Sequence, residues 1–196
     1  MKSASRLSRA QRLVFDAVAF AAAAHHGQYR KGTRIPYLIH PLRVARELIE
    51  IGSAREVVIA GLLHDTVEDA GVSLGAIRRR FGNRVARLVA EASEADKTLA
   101  WEDRKRRTIA AIASASRSAL RVELADKLDN IRSVREDLAR HGPTVWRRFR
   151  RGREAQRWYY TELLRAFAAR CRSEPLRSLW KRFRDEVEAV FSDRRA

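Results

Sequence analysis

The amino-acid sequence predicts an all-α protein folded as one compact helical bundle. Apolar side chains recur at three- and four-residue intervals through nearly every segment, which is the spacing of one face of an α-helix. Runs of alternating β-branched residues joined by hairpin turns, which would indicate strands, do not occur in the sequence. No repeat or low-complexity linker marks a boundary, so we expect residues 1–196 to form a single domain. Its core is expected at about 8–170, with a C-terminal helix at 175–191 packed on it.

The N-terminal half is predicted to begin with a helix at 8–24. This helix places apolar residues from Leu13 to Ala21 on one face and ends before Gly27, a plausible stop. A basic, glycine-containing loop follows at 25–37. Pro41 suits the first turn of the next helix, because a first turn leaves its amide hydrogens unbonded. The remaining helices of this half are predicted at 41–51, 54–69, 73–81 and 83–93.

The C-terminal half is separated from the first by a polar, loop-like segment at 94–99. The triplet His141-Gly142-Pro143 is a strong helix stop signal, because glycine ends helices and proline cannot continue them. The helices of this half are predicted at 101–114, 118–138, 144–170 and 175–191.

The composition is that of a globular chain with a strongly basic balance. Hydrophobic residues make up 45% of the sequence and the formal net charge is +17. Such a charge favours an anionic ligand, although an arginine-rich proteome would give the same balance. No apolar run approaches the roughly 20 residues that span a bilayer, so we expect no membrane association. The single cysteine, Cys171, excludes an internal disulfide and fits a reducing cytoplasm.

The most informative segment is Leu-Leu-His-Asp-Thr-Val-Glu-Asp, at 62–69. On a continuous helix His64 would lie over Glu68, and Asp65 over Asp69, because residues four apart share a face. Three carboxylates that close together would repel one another unless a cation or a shared proton neutralised them. A metal ion is the simplest explanation; the alternative is a pair of solvated charges at a helix end.

A metal site needs ligands from other helices as well, because one helix cannot surround an ion. His40 lies in the apolar setting Tyr-Leu-Ile-His-Pro-Leu, and Asp126 lies beside Leu124 and Ala125 inside a predicted helix. A carboxylate in such a place would be costly without a partner. The alternative for Asp126 is a surface carboxylate paired with one of the abundant arginines. Tyr37 is predicted either to line the same cleft or to pack in the core.

Two further polar residues extend the pattern along the helix predicted at 118–138. Asn130 and Ser133 follow Asp126 at i+4 and i+7, so the three form one polar stripe. This stripe is typical of a ligand followed by hydrogen-bonding groups that line a cleft.

Together these motifs resemble those of a known family. The ordered pattern His…His-Asp…Asp is similar to that of the HD-domain metal-dependent phosphohydrolases. The segments Arg-Lys-Gly-Thr-Arg-Ile-Pro-Tyr-Leu-Ile-His-Pro, Leu-Leu-His-Asp-Thr-Val-Glu-Asp and Ala-Asp-Lys-Leu-Asp-Asn-Ile-Arg resemble the hydrolase domain of RelA/SpoT homologues. The resemblance is greatest to the small alarmone hydrolases and covers roughly 13–167. It implies the HD-domain helical bundle as the fold.

The resemblance also implies site residues and a cofactor. The implied ligands of one metal ion, usually Mn²⁺, are His40, His64, Asp65 and Asp126. Two nitrogen and two oxygen donors suit Mn²⁺, although ligand type alone would also permit Fe²⁺, Co²⁺ or Zn²⁺. Glu68 and Asp69 match the family's Glu-Asp pair, which positions or deprotonates the attacking water. The implied substrate contacts are Arg30, Lys31, Asn130 and Ser133.

The function implied is hydrolysis of the 3′-pyrophosphate of ppGpp and pppGpp, which gives GDP or GTP and pyrophosphate in the cytoplasm. One alternative keeps the site and changes the substrate to another phosphorylated nucleotide such as NADPH. A second alternative is a non-catalytic protein that uses its basic surface on RNA or a partner protein. We do not expect nucleic acid to be the partner, and the sequence leaves open whether the chain forms a homo-oligomer.

Overall fold

The computed structural model describes residues 8–93 and 98–192 and confirms the all-α prediction. Within these ranges, the one β-type pairing outside the helices is an isolated bridge between Tyr29 and Pro36. The α-helices are α1 (Arg9–Ala24), α2 (Ile39–Glu50), α3 (Arg55–Leu63), α4 (Thr66–Ala70), α5 (Leu74–Phe81), α6 (Asn83–Ala92), α7 (Trp101–Ile112), α8 (Arg117–His141), α9 (Gly152–Arg170) and α10 (Leu176–Phe191). A 3₁₀ helix, Gly142–Arg148, joins α8 to the turn before α9.

Two of the predicted helices are interrupted in the structure. The helix predicted at 144–170 was wrong in its first part, because the chain leaves the 3₁₀ helix at Phe149 in an extended conformation with ψ 114°. Gly152 then begins α9 with φ 68°, a left-handed conformation that favours glycine. The helix predicted at 54–69 divides into α3 and α4. Of the predicted loop at 94–99, residues 94–97 lie outside the described residues.

The long helix α8 is the centre of the fold. It packs against α2, α3, α6, α10 and the 3₁₀ helix. Its apolar face is fully buried at Leu124, Leu128 and Ile131, and this burial is the main driving force for folding. The expected C-terminal helix is present as α10, which packs on α8 and α9. None of the helices in the described ranges has the length and apolarity needed to cross a membrane.

The site-bearing helices α2, α3 and α8 pack closely on one another. Gly61 of α3 faces α2, and a Cβ atom added there would overlap Leu48 Cδ1 and lie 3.2 Å from Val44 Cγ1. Leu48 and Val44 are themselves completely buried, so neither has space into which to move. The absence of a side chain at position 61 therefore allows α3 to approach α2 and brings their polar ends together.

A cluster of charges ties α10 to the same helices on the other side of the bundle. Glu47 of α2 is buried, and its Oε1 atom accepts a 2.8 Å hydrogen bond from Arg132 of α8. Its Oε2 atom lies 2.6 Å from NH1 of Arg182 in α10, an ion pair without hydrogen-bond alignment. Glu186 of α10 completes this Glu47 cluster by accepting from Arg132 at 3.3 Å.

Candidate metal centre and adjoining cleft

The first predicted ligand, His40, lies in the first turn of α2 and is 1% exposed. Its Nδ1 atom lies 2.7 Å from Oδ2 of Asp129 on α8. An ionised carboxylate can only accept a hydrogen bond, so Nδ1 carries the hydrogen and donates it. In the neutral ring, the lone pair is then on Nε2.

The second predicted ligand, His64, lies where α3 ends. Its Nδ1 atom is 2.8 Å from the carbonyl oxygen of Gly61, which likewise can only accept. The hydroxyl of Thr66 donates to the carbonyl of Leu63 at 2.7 Å. Side chains thus satisfy two carbonyls at the end of α3, which competes with continuation of the helix and accounts for the break before α4. The helix predicted at 54–69 is thus divided, but His64 and Asp65 keep right-handed helical backbone angles and Asp69 N still bonds Asp65 O at 2.9 Å.

The two imidazoles point at each other across the junction of α2 and α3. His40 Nε2 and His64 Nε2 are 3.2 Å apart. With both Nδ1 atoms donating elsewhere, two neutral rings would present two lone pairs at this distance, which is repulsive. A proton or a cation between the nitrogens removes the repulsion. The donor chemistry therefore fits a metal ion.

Two carboxylates complete the group of donors. Asp65 Oδ2 lies 3.4 Å from His40 Nε2 and 3.1 Å from His64 Nε2. Asp126 Oδ1 lies 3.1 Å and 3.6 Å from the same nitrogens. Ligands about 2.1 Å from a common ion lie roughly 3 Å or more from one another. His40, His64 and Asp65 have ligand atoms mutually within 4.8 Å; Asp126 is outside that group and joins it through the histidines.

In the absence of an ion the cluster holds protons. Burial lowers the pKa of His40, but hydrogen bonds to Asp126, Asp129 and Asp65 outweigh it and raise the pKa to about 9. Burial opposes charge on His64 too, yet Asp65 and Asp126 raise its pKa well above the ordinary value. Despite their own burial, the pKa values of Asp65 and Asp126 are well below the usual range. The adjacent histidines contribute to both shifts, and Lys127 to that of Asp126.

Further polar groups orient the two carboxylates. Lys127 donates to Asp126 Oδ2 at 2.6 Å, and the amide of Asn130 donates to Asp126 Oδ1 at 2.6 Å. The hydroxyl of Tyr37 donates to Asp65 Oδ2 at 2.6 Å. Burial and then the charge of Asp65 raise the pKa of Tyr37 far above its ordinary value, so the hydroxyl remains a donor. Tyr37 therefore lines the cleft, the first of the two alternatives for this residue.

A cavity of about 320 Å³ opens beside the histidine cluster, and we call it the Arg30 cavity. Arg30 NH2 crosses it to donate to Asn130 Oδ1 at 3.0 Å and to Ser133 Oγ at 3.2 Å. The predicted polar stripe on α8 thus faces the predicted basic loop. Lys31, Tyr37, Phe149 and Tyr160 also line this cavity.

A second cavity, of about 300 Å³, lies on the other side of Tyr37, and we call it the α7 cavity. Asp65, Asp126 and the half-buried Glu68 line it. Three cations of α7, Arg104, Lys105 and Arg107, line it as well. Asp69 is exposed instead and lies 3.3 Å from the Tyr37 hydroxyl. The structure thus brings Glu68 into the cavity and leaves Asp69 at its edge.

Sequence reasoning missed several residues of this site. The α7 cations had been assigned no role, because only the fold reveals that they line a cavity together with Asp65, Glu68 and Asp126. Asp129 carried a signal: it follows Asp126 by one helical turn and stands between the apolar residues Leu128 and Ile131. A buried second carboxylate could have been predicted from that setting.

The helical fold and its buried His–Asp cluster define the class of protein. The chain belongs to the HD-domain family, whose model, described as HD domain, matches residues 17–156. It is similar to the guanosine-3′,5′-bis(diphosphate) 3′-pyrophosphohydrolase MESH1 of Mus musculus, with 42% identity over 136 residues, or 68% of this chain and 73% of the relative. A guanosine-3′,5′-bis(diphosphate) 3′-pyrophosphohydrolase of Aquifex aeolicus is 40% identical over 116 residues, or 58% of this chain and 16% of that longer protein.

Solved structures show the same similarity. A metazoan orthologue of SpoT, described as hydrolysing ppGpp, superimposes with a TM-score of 0.73 and 29% identity. The match covers 96% of this chain and 97% of that one. The protein lmo0812 of Listeria monocytogenes superimposes with a TM-score of 0.70 and 39% identity over 78% of this chain and 98% of its own.

Proposed function

We propose that this protein is a metal-dependent hydrolase that removes the 3′-pyrophosphate of ppGpp and pppGpp, which yields GDP or GTP and pyrophosphate. The observation that carries the proposal is the convergence of two imidazole nitrogens, 3.2 Å apart, with Asp65 and Asp126 beside two cavities whose linings both include several cations. Relatives with this activity, at 42% and 40% identity, support the choice of substrate.

The proposed metal ligands are His40, His64, Asp65 and Asp126, and the proposed metal is Mn²⁺. Their mixed nitrogen and oxygen donors suit that ion. When bound, a divalent ion lowers the pKa of a coordinated water and neutralises charge on phosphoryl oxygens.

Glu68 is the proposed general base. It lines the α7 cavity together with Asp65 and Asp126. Its carboxylate takes a proton from the attacking water as the new bond to phosphorus forms. The bond between phosphorus and the 3′-oxygen breaks and the departing oxygen takes up a proton from water, which gives the 3′-hydroxyl of GDP or GTP. Glu68 then releases the proton it gained to water. Asp69 is proposed to hold the Tyr37 hydroxyl from the outer side.

The two cavities are proposed to bind different parts of the substrate. The nucleoside is proposed to occupy the Arg30 cavity, where aromatic rings of Phe149 and Tyr160 and the Arg30 guanidinium offer flat surfaces for the base. Lys31, Asn130 and Ser133 supply polar contacts there. The phosphates to be removed are proposed to face the cations of the α7 cavity, which stabilise developing charge.

The test is hydrolysis of ppGpp by protein stripped of metal, with and without added Mn²⁺, following GDP and pyrophosphate. An Asp65→Ala variant serves as the control, and NADPH is assayed in parallel. Mn²⁺-dependent release of GDP that is lost in the variant supports both reaction and site. Turnover of NADPH alone, or RNA binding without any hydrolysis, would overturn the proposal. A cytoplasmic location stays a prediction, and the formation of a homo-oligomer stays open.

A further inference from the structure

Asp129 is a buried carboxylate in contact with a proposed metal ligand. It is 1% exposed and lies on α8 one turn after Asp126. Its Oδ2 atom accepts the Nδ1 hydrogen of His40 at 2.7 Å. Its Oδ1 atom has no hydrogen-bond donor within the part of the chain that the structure describes. A charge so placed is costly and requires compensation by nearby cations.

The compensating cations come from the Arg30 cavity. Arg30 NH2 lies 3.8 Å from Asp129 Oδ2, and Arg43 NH1 lies 3.7 Å from Oδ1. Both arginines line that cavity, as Asp129 does. Arg30 also reaches the polar stripe through Asn130 and Ser133. Asp129 therefore lies between the histidine cluster and the cavity beside it, and it contacts charged groups of both.

We propose that Asp129 is a positioning residue for the metal centre. By accepting from Nδ1 it holds His40 in the tautomer whose Nε2 lone pair faces His64 Nε2, Asp65 and Asp126. Arg30 and Arg43 keep the Asp129 carboxylate compensated from the cavity side. This inference rests on the proposed function, because the proposed function assigns the metal ion and its four ligands.

Loss of the contact between Asp129 and His40 would alter the ability of His40 to bind the metal ion and would leave the groups proposed for catalysis in place. Without an acceptor at Nδ1, His40 is free to place its hydrogen on Nε2, where it would block the donor atom. An asparagine in place of Asp129 can turn its NH₂ group toward Nδ1 and so favour that wrong tautomer. Loss of a partner of this kind typically lowers metal affinity about 10- to 100-fold.

The experiment measures Mn²⁺ binding by isothermal titration calorimetry for the full chain and for Asp129→Asn and Asp129→Ala. The matched control is Glu47→Gln, which alters another buried carboxylate between α2 and α8, one whose ion-pair partners are Arg132 and Arg182. In addition, ¹⁵N NMR of the histidine rings in metal-free protein above pH 9, where the His40 ring is neutral, reports which ring nitrogen carries hydrogen. The second variant is included because either substitution alone could impair folding.

We expect a 10- to 100-fold weaker Mn²⁺ affinity in the Asp129 variants, no such change in Glu47→Gln, and a loss of the hydrogen on His40 Nδ1. Either folded Asp129 variant with unchanged affinity and an unchanged His40 tautomer would overturn the inference and leave the proposed function intact. A wild-type chain that binds no Mn²⁺ would overturn both. An affinity loss equal to that of Glu47→Gln would also overturn the inference, since it would indicate general destabilisation.

Discussion

Two clusters of buried charge lie between α2 and α8, and they are built in opposite ways. In the Glu47 cluster each carboxylate oxygen of Glu47 faces an arginine, at 2.8 Å and 2.6 Å. In the histidine cluster, two nitrogen atoms with the same hydrogen-bonding role lie 3.2 Å apart and two carboxylates approach both. In the Glu47 cluster the negative charge is compensated by arginines of the same chain. In the histidine cluster two nitrogen lone pairs face each other.

The difference between the two clusters shows how the role of a buried charged group can be inferred in this protein. Removing one partner of a compensated buried ion pair leaves the other charge buried alone, so the loss of that partner destabilises the fold. Lone pairs that converge on one point contribute nothing until a proton or a cation lies between them. Buried carboxylates whose charge is matched by neighbouring arginines thus indicate a structural role. Lone pairs that converge on one point indicate a binding site.

The largest expected effect is on the histidine cluster. Asp65→Asn keeps the shape of the side chain and removes its charge, and we expect turnover of ppGpp to fall about a thousand-fold or more. The reason is that a bound ion contributes several kcal/mol of charge stabilisation, and each 1.4 kcal/mol is about tenfold in rate. Steady-state kinetics at fixed Mn²⁺ measures the effect. A variant with near wild-type turnover would show that the cluster is not the metal site.

The opposite outcome is expected for the Glu47 cluster. Glu47→Ala removes the buried partner of Arg132 and Arg182, which keep Glu186 and Glu50 as partners, so we expect the free energy of unfolding to fall by about 1.5–3 kcal/mol. The kcat of the folded protein should not change, because the cluster does not touch the cavities. Urea unfolding measures the loss of stability, and steady-state kinetics below the melting transition measures kcat. Lost kcat with unchanged stability would contradict the comparison.

The pH dependence of metal-free protein sharpens the contrast. The pKa of His40 in the folded state, about 9, exceeds the unfolded value of 6.5, so its stabilising contribution is fully present below pH 6.5. It is lost as the pH rises toward 9, on the order of 3 kcal/mol. Denaturant unfolding in EDTA from pH 6 to 9.5 measures the loss. Mn²⁺ should counteract it by replacing the proton, and a metal-free protein that gained stability over this range would refute the prediction.

The smallest effect is expected at the edge of the Arg30 cavity. Ser133→Ala removes one acceptor for Arg30, a hydrogen bond worth about 1 kcal/mol, so we expect KM to rise about fivefold with kcat unchanged. Ser118→Ala, near the start of α8, is the matched control. Equal KM values for the two variants would exclude Ser133 from substrate binding.

Most of the helical pattern was predictable from the sequence. Apolar periodicity and stop signals located the helices, because both are local properties. As candidates, His40 and Asp126 stood out as polar residues in apolar settings, and His64 and Asp65 as an adjacent pair one turn before two carboxylates. The break after Leu63 was not predicted, since it depends on side chains of His64 and Thr66 bonding to carbonyls that a helix would otherwise use.

By itself the sequence determined the all-α class, the HD-type motif and the residue types that can bind a metal. Only the tertiary structure decided which partners those residues have. Asp129 meets His40 across 89 positions in the chain, and the cations of α7 meet Glu68 across a cavity. Spacing along a helix fixes neighbours within a few turns. The distance between residues of different helices is set by how those helices pack.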